Sequence, residues 1–178
     1  MKLSSAMGCL LMLFAAVAAR SQSHTPTPSP ELQKQDFFVG DWTLEGETKA
    51  SAFGAGGQKF KSTEHLEWLP GGFFLLAHSY ADGRLMELTV IGYDAEEKAF
   101  THTSYDGAGG RIERWLGTTD SDTWTWTRDG RPVDGKPTIV RLRIKKTSSR
   151  SYSFTQDVKA GDAADWATVA EGTGVKSP

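Results

Sequence analysis

From residue 50 onward the chain is interrupted at short, regular intervals by turn-forming residues. No other feature limits its fold as tightly. The interruptions are Phe53-Gly54-Ala55-Gly56-Gly57, Pro70-Gly71-Gly72, Asp82-Gly83-Arg84, Asp106-Gly107-Ala108-Gly109-Gly110, Asp129-Gly130-Arg131, Asp134-Gly135-Lys136 and Gly161-Asp162. Glycine and Asp-Gly pairs supply the positive φ that hairpin turns require. Between them lie runs of alternating character, expected as strands near 41–49, 59–69, 72–81, 85–94, 98–105, 110–117, 122–128, 138–147, 150–158 and 165–175. About ten strands at this spacing, joined by hairpins, predict a β-sandwich or β-barrel. No strand is followed by a crossover helix, which argues against a parallel α/β fold. No repeat of fixed period points to a propeller. Closure removes the exposed edges of a long open sheet. The expectation is therefore an all-β, antiparallel up-and-down barrel of about ten strands, entered through a short helix. That helix is read over Glu31–Phe38, after Pro30, with Ser29 as its N-cap.

The first thirty residues read as an address and a spacer. Lys2 precedes an apolar run of ten residues, Leu10–Ala19, too short for the roughly 20 residues that span a bilayer. The pattern is that of a signal peptide over residues 1–21, with cleavage after Ala18 or Ser21. Cys9 is the only cysteine, so no internal disulfide and no four-cysteine zinc site can form. Cleavage would remove it and leave a thiol-free chain, suited to an oxidising compartment. It would also remove Lys2 and Arg20, leaving 18 basic against 22 acidic residues and moving the formal charge from −2 to −4. Residues 22–30 form a Pro-rich linker that carries His24. The domain is expected over 31–178, exported to the periplasm or beyond, with no integral membrane segment after cleavage. With this charge there is no broad cationic field, so nucleic acid is not an expected partner.

Side-chain parity assigns faces. Trp124 and Trp126 share one side of their strand, with threonines on the other. Val140, Leu142 and Ile144 oppose the basic stripe Arg141, Arg143 and Lys145, which reads as a solvated face or an anion site. Tyr152, Phe154, Gln156 and Val158 share a face. His78 lies in phase with Phe74, Leu76 and Tyr80, and His102 with Phe100 and Ser104. If those faces point inward, both imidazoles enter the barrel. Glu64 is in phase with Phe60, Leu66 and Trp68. A carboxylate on an apolar face has a raised pKa and can serve as an acid or base. Pairing with Arg114 or exposure by strand twist are the alternatives. Arg114 itself shares a face with Ile112 and Leu116, where it would meet an anionic head, unless Trp115 is the inward residue.

The opening Phe37-Phe38-Val39-Gly40-Asp41-Trp42 places Gly-x-Trp at the start of the first strand, after a short helix. That arrangement resembles the lipocalin and calycin superfamily, and implies that Trp42 closes one end of the barrel. Further segments are Leu69-Pro70-Gly71-Gly72-Phe73-Phe74, Gly92-Tyr93-Asp94 and the aromatic run Phe100–Tyr105. Together, from Leu32 to Val175, they are similar to a bacterial lipocalin-like family of unknown function, the one numbered 1579. The resemblance implies a lipocalin- or fatty-acid-binding-protein-like barrel with a pocket, and no particular reaction.

The leading reading is an exported barrel that binds a small apolar or amphipathic molecule without catalysis, cofactor or metal. Trp42, Glu64, His78, Tyr80, His102, Arg114, Trp124, Trp126, Tyr152 and Gln156 are the candidate ligand contacts. A rival is a barrel isomerase, cyclase or hydrolase working through His78, His102 or Glu64. Another is a haem-binding barrel, as in the distantly similar nitrobindins, which hold haem through histidine. A third is a closed plug whose loops bind a partner. There is no HExxH, no Cys-x-x-Cys-His and no Gly-x-Ser-x-Gly. The glycine-rich segments precede no helix and no Gly-Lys-Ser/Thr, so they read as hairpin loops and not as phosphate cradles.

Overall fold

The structure, a computed structural model, describes residues 26–177 apart from 52, 162 and 164. The expected signal peptide and His24 lie outside the described residues. Ten antiparallel strands close into a barrel. In chain order they are β1 (Gly40–Thr48), β2 (Lys59–Trp68), β3 (Leu75–Ala81), β4 (Arg84–Asp94), β5 (Ala99–Asp106), β6 (Ile112–Asp120), β7 (Thr123–Asp129), β8 (Thr138–Ser148), β9 (Ser151–Ala160) and β10 (Ala167–Lys176). Each strand pairs with its sequence neighbours, and β1 meets β10 to close the cylinder. The up-and-down barrel read from the turns is the fold observed. The segment 72–81 enters later than expected: Gly71 and Gly72 hold φ of 96° and 72°, and the strand begins at Leu75.

The helix is a 3₁₀ helix, Pro30–Phe38, and the Ser29 hydroxyl accepts the Glu31 N–H at 3.4 Å. It delivers Phe37 and Phe38 to one end of the barrel, where they meet Trp42, Trp124 and Tyr152. Phe38 lies edge-on to Trp124, with 4.8 Å between centroids, a favoured aromatic geometry. Trp42 is almost wholly buried, at 1% exposure. This cluster stoppers the end at which β1 begins. The other end carries the loops after β1, β3, β5, β7 and β9.

The inner wall alternates large side chains with glycine. A Cβ on Gly117 would lie 2.3 Å from the Trp126 ring, one on Gly174 2.3 Å from the Tyr152 ring, and one on Gly46 2.5 Å from Phe60. These glycines leave room for the rings of neighbouring strands, so the aromatics lie flat on the wall and do not fill the bore.

The stripe Arg141, Arg143 and Lys145 faces outward, but it is not simply solvated. The Arg141 Nε and Nη2 donate to Asp157 Oδ2 at 3.2 and 2.9 Å, and Arg143 lies 3.3 Å from the same oxygen. The Thr168 hydroxyl donates to the other Asp157 oxygen at 2.8 Å, and Trp166 stacks over Arg141. Two of the three cations are thus neutralised within the wall. None of the described helices is long and apolar enough to cross a membrane.

Candidate functional site

Inside the barrel is a cavity of about 520 Å³, within the usual range for small-molecule sites. Its apolar lining comes from Phe38, Leu44, Leu66, Ala77, Trp126, Leu142, Ile144, Tyr152 and Phe154. Phe60 and Met86 stand at the loop end, 37% and 52% exposed, and form an apolar rim. Met86 occupies a bulge: Ser79 pairs with Glu87 and Tyr80 with Leu85, so the residue between has no partner on β3.

Most of the polar lining lies on one arc, with Thr48 on β1 and Gln156 on β9 standing apart from it. Strand register places Glu64 on β2 opposite Ser79 on β3, and Ser79 opposite Glu87 on β4. Thr89 on β4 then lies opposite Ser104 on β5, and Ser104 opposite Glu113 on β6. Directly opposed residues on one face lie about 5 Å apart, so these groups form one continuous polar band. The Ser79 hydroxyl donates to Glu64 Oε1 at 3.1 Å, and the Thr89 hydroxyl to Glu87 Oε1 at 3.0 Å. At its loop end the band runs into a smaller polar recess of about 220 Å³, reached by Glu87, Ser104, Arg111, Glu113, Arg128 and Gln156. Arg128 Nε lies 3.1 Å from Glu113 Oε2, Arg111 pairs with the same carboxylate, and Arg128 also lies over the Trp115 ring.

Burial pushes the Glu64 carboxyl up to about 7, against the hydrogen bond from Ser79, which favours the charged form. Glu64 retains some accessible surface, and that surface faces the cavity. Glu87 is pushed upward chiefly by burial as well. His102 is pushed down to about 4 by burial alone. Its ring lies against Trp126 and Trp115, at 5.3 and 5.9 Å between centroids, and its Nε2 has no protein partner. Burial, and then the Glu64 charge, raise the Tyr152 hydroxyl well above its ordinary range, so it stays neutral.

Of the candidates read from the sequence, Glu64, His102, Trp126, Tyr152 and Gln156 line the cavity. Trp42 and Trp124 belong to the aromatic stopper. Three others require correction. His78 and Tyr80 stand on the outer wall, stacked on each other, with His78 opposite the exposed His65. On β3 the smaller phase, Leu75, Ala77 and Ser79, faces inward, because Ser79 must oppose the inward Glu64. Arg114 is also outside, because Trp115 and Gly117 take the inner wall of β6. It neither meets a ligand in the bore nor pairs with Glu64, whose partner is Ser79. Instead it borders an outer groove of about 590 Å³ with Leu116, Thr127 and Ile139. His78 and His102 therefore lie on opposite sides of the wall, and a catalytic site that joins them is not present. Ser79, Glu87, Thr89, Ser104, Glu113 and Arg128 were not singled out in the sequence. Within their strands, Ser104 is in phase with His102, Glu113 with Trp115 and Arg128 with Trp126, whereas Ser79, Glu87 and Thr89 are placed only by register with neighbouring strands. Among the described residues, no three His, Cys, Asp or Glu side chains gather to hold a metal.

The crystal structure of Rv2717c from M. tuberculosis is similar in fold. It has 13% identity and a TM-score of 0.56, over 85% of this chain and 99% of that one. No curated protein matches the chain. A family model described as "Protein of unknown function (DUF1579)" matches residues 27–175, which include the helix and all ten strands apart from the last residue of β10. The chain therefore belongs to the DUF1579 family.

Proposed function

We propose that this protein is an exported, calycin-like carrier that holds a small apolar or amphipathic molecule inside its barrel, without catalysis or a resident cofactor. The observation that carries this reading is the cavity of about 520 Å³, stoppered by aromatics at one end and rimmed by Phe60 and Met86 at the other. Its large apolar wall and main polar arc match what concave ligand sites need: area for affinity, and a few placed polar groups for orientation. A plug would be filled to the density of a core, and the glycines that flatten Trp126 and Tyr152 against the wall work against filling. The signal-like segment at 1–21 supports export.

Native mass spectrometry of the purified protein, before and after incubation with n-decanol, tests the reading. A retained small molecule or a stoichiometric decanol adduct is expected, and Ser62→Phe, which builds a ring into the chamber, should abolish it. A barrel that neither retains nor accepts a molecule overturns the reading. Export is tested by the N-terminal sequence of the protein recovered outside the cytoplasm, which should begin after Ala18 or Ser21. A Soret band shifted from that of free haemin, and lost in His102→Ala, would instead favour His102 as a ligand to haem iron.

A further inference from the structure

The polar arc inside the barrel has an unbalanced charge. Four carboxylates face the bore or its mouth: Glu64, Glu87, Glu113 and, at the outer edge of the mouth, Asp106, which accepts the Ala108 N–H. Glu113 is matched by Arg128 and Arg111. Among the described residues no Lys, Arg or His side chain lies within 4 Å of a Glu64 or Glu87 carboxylate oxygen. His102 contributes no positive charge, because burial keeps its imidazole neutral. Its Nε2 is buried on the same cavity with no protein partner. A buried carboxylate without a directly paired cation is costly: Glu64 has none, and Glu87 feels Arg111 and Arg128 only from beyond ion-pair distance.

We propose that the ligand carries a protonated amine on an apolar body, and that its head seats over Ser79 between the Glu64 and Glu87 carboxylates. This inference rests on the carrier reading above and names the chemical class of its cargo. An ammonium has three N–H donors. In register, Glu64, Ser79 and Glu87 offer three acceptors: two carboxylates and the Ser79 oxygen, whose own proton is already given to Glu64. The apolar body then runs along Leu142, Ile144 and Phe154 toward the stopper, and the faces of Trp126 and Tyr152 tolerate positive charge. A carboxylate ligand meets the opposite situation. The two guanidiniums at the mouth, Arg111 and Arg128, are both paired with Glu113, and the carboxylates deeper on the arc repel an anion.

The test is isothermal titration of the purified full chain at pH 8 with n-decylamine, n-decanol and decanoate, below their aggregation thresholds. The amine is expected to bind about tenfold or more tighter than the alcohol, in line with a charge-assisted hydrogen bond, and decanoate weakest. Glu64→Gln and Glu87→Gln should each bring the ratio of amine to alcohol affinity down toward unity. Both keep the shape and relieve a buried charge, so folding should survive. Equal binding of all three ligands, or a ratio unmoved in both variants, overturns the amine assignment and leaves the carrier reading standing. Failure of all three to bind a barrel that native mass spectrometry shows to be empty overturns both.

Discussion

The indole N–H of Trp42 donates to the Phe38 carbonyl oxygen at 2.7 Å, and this bond ties the first strand to the helix that stoppers the barrel. It fixes the ring against Phe37 and Tyr152, at 5.2 and 5.0 Å between centroids. The Gly-x-Trp opening thus works as a latch. Glycine allows the chain to turn into β1 with φ of 115° at Gly40, and the tryptophan two residues on reaches back under the helix.

Two substitutions separate the parts of that latch. Trp42→Phe keeps most of the ring but leaves the Phe38 carbonyl unpaired, and is expected to cost about 1–3 kcal/mol. Trp42→Ala also opens a cavity and is expected to cost about 3–5 kcal/mol. Urea denaturation followed by far-ultraviolet circular dichroism measures both. Equal losses in the two variants would show that the hydrogen bond, and not the ring, carries the stability.

The inner-wall glycines make a second prediction. Gly117→Ala and Gly174→Ala each push a methyl into a ring, Trp126 or Tyr152, and neither ring can retreat through the sheet. Overpacking of this kind costs about 1–3 kcal/mol. The displaced Trp126 should also move into the bore, so Gly117→Ala should shift the tryptophan emission and weaken decanol binding. Gly83→Ala, with open space around its Cβ, should show only the smaller cost of its positive φ.

Much of this fold is legible in the sequence because the turns are chemically explicit. Asp82-Gly83 and Asp134-Gly135 each place both residues at positive φ, the hairpin geometry that their identity announces. Faces are legible only where the two phases of a strand differ in character. On β7 and β8 they do, and Trp124, Trp126, Val140 and Leu142 point inward as read. On β3 both phases are largely apolar, and the larger set, Leu76, His78 and Tyr80, is the outer one. What decides the matter is pairing with β2, which one strand cannot reveal. On β6, Arg114 shares its phase with Ile112 and Leu116, which are 58% and 50% exposed. Exposed apolar residues on a barrel's outer wall defeat a reading by parity alone. The polar arc escaped for a related reason: serine, threonine and glutamate at single positions look like surface until register lines them up.

The outer wall contains its own buried charge. Asp157 is 1% exposed and serves Arg141, Arg143 and Thr168 together. Asp157→Ala removes the acceptor and strands Arg141 beneath Trp166, with an expected cost of about 3–5 kcal/mol. Arg143→Ala, whose side chain is 46% exposed, should cost less than about 1 kcal/mol. Thermal unfolding of the two variants side by side checks the ranking, and similar losses would remove the claim that Asp157 is the centre of the cluster.

Inside, Glu64 and His102 oppose each other in their response to pH. The folded state raises Glu64 from an ordinary 4.5 to about 7, so between those values the native protein holds more protons than the unfolded chain. Stability from this group is therefore full below about pH 4.5 and is lost as pH rises through 7. His102 falls from 6.5 to about 4, so the unfolded chain holds the extra proton, and its contribution is full above pH 6.5 and lost as pH falls through 4. The two slopes oppose each other over much of the range from 4.5 to 6.5, and Glu87 adds to the Glu64 side, so the ligand-free protein should show a shallow fall with pH there. Glu64→Gln should tilt the profile upward with pH relative to the parent, because only Glu87 then opposes the His102 slope. His102→Gln should uncover the opposite slope, falling from about 4.5 to 7, to which Glu87 adds in the same sense. Relative to the parent, Glu64→Gln should be similar near pH 4 and more stable at pH 8 by up to about 3 kcal/mol, the free energy of a shift of this size. Urea melts at half-unit pH steps measure all three proteins. Parallel curves for the parent and Glu64→Gln would mean that the carboxyl is solvated through the mouth of the barrel and is not held in a dry wall.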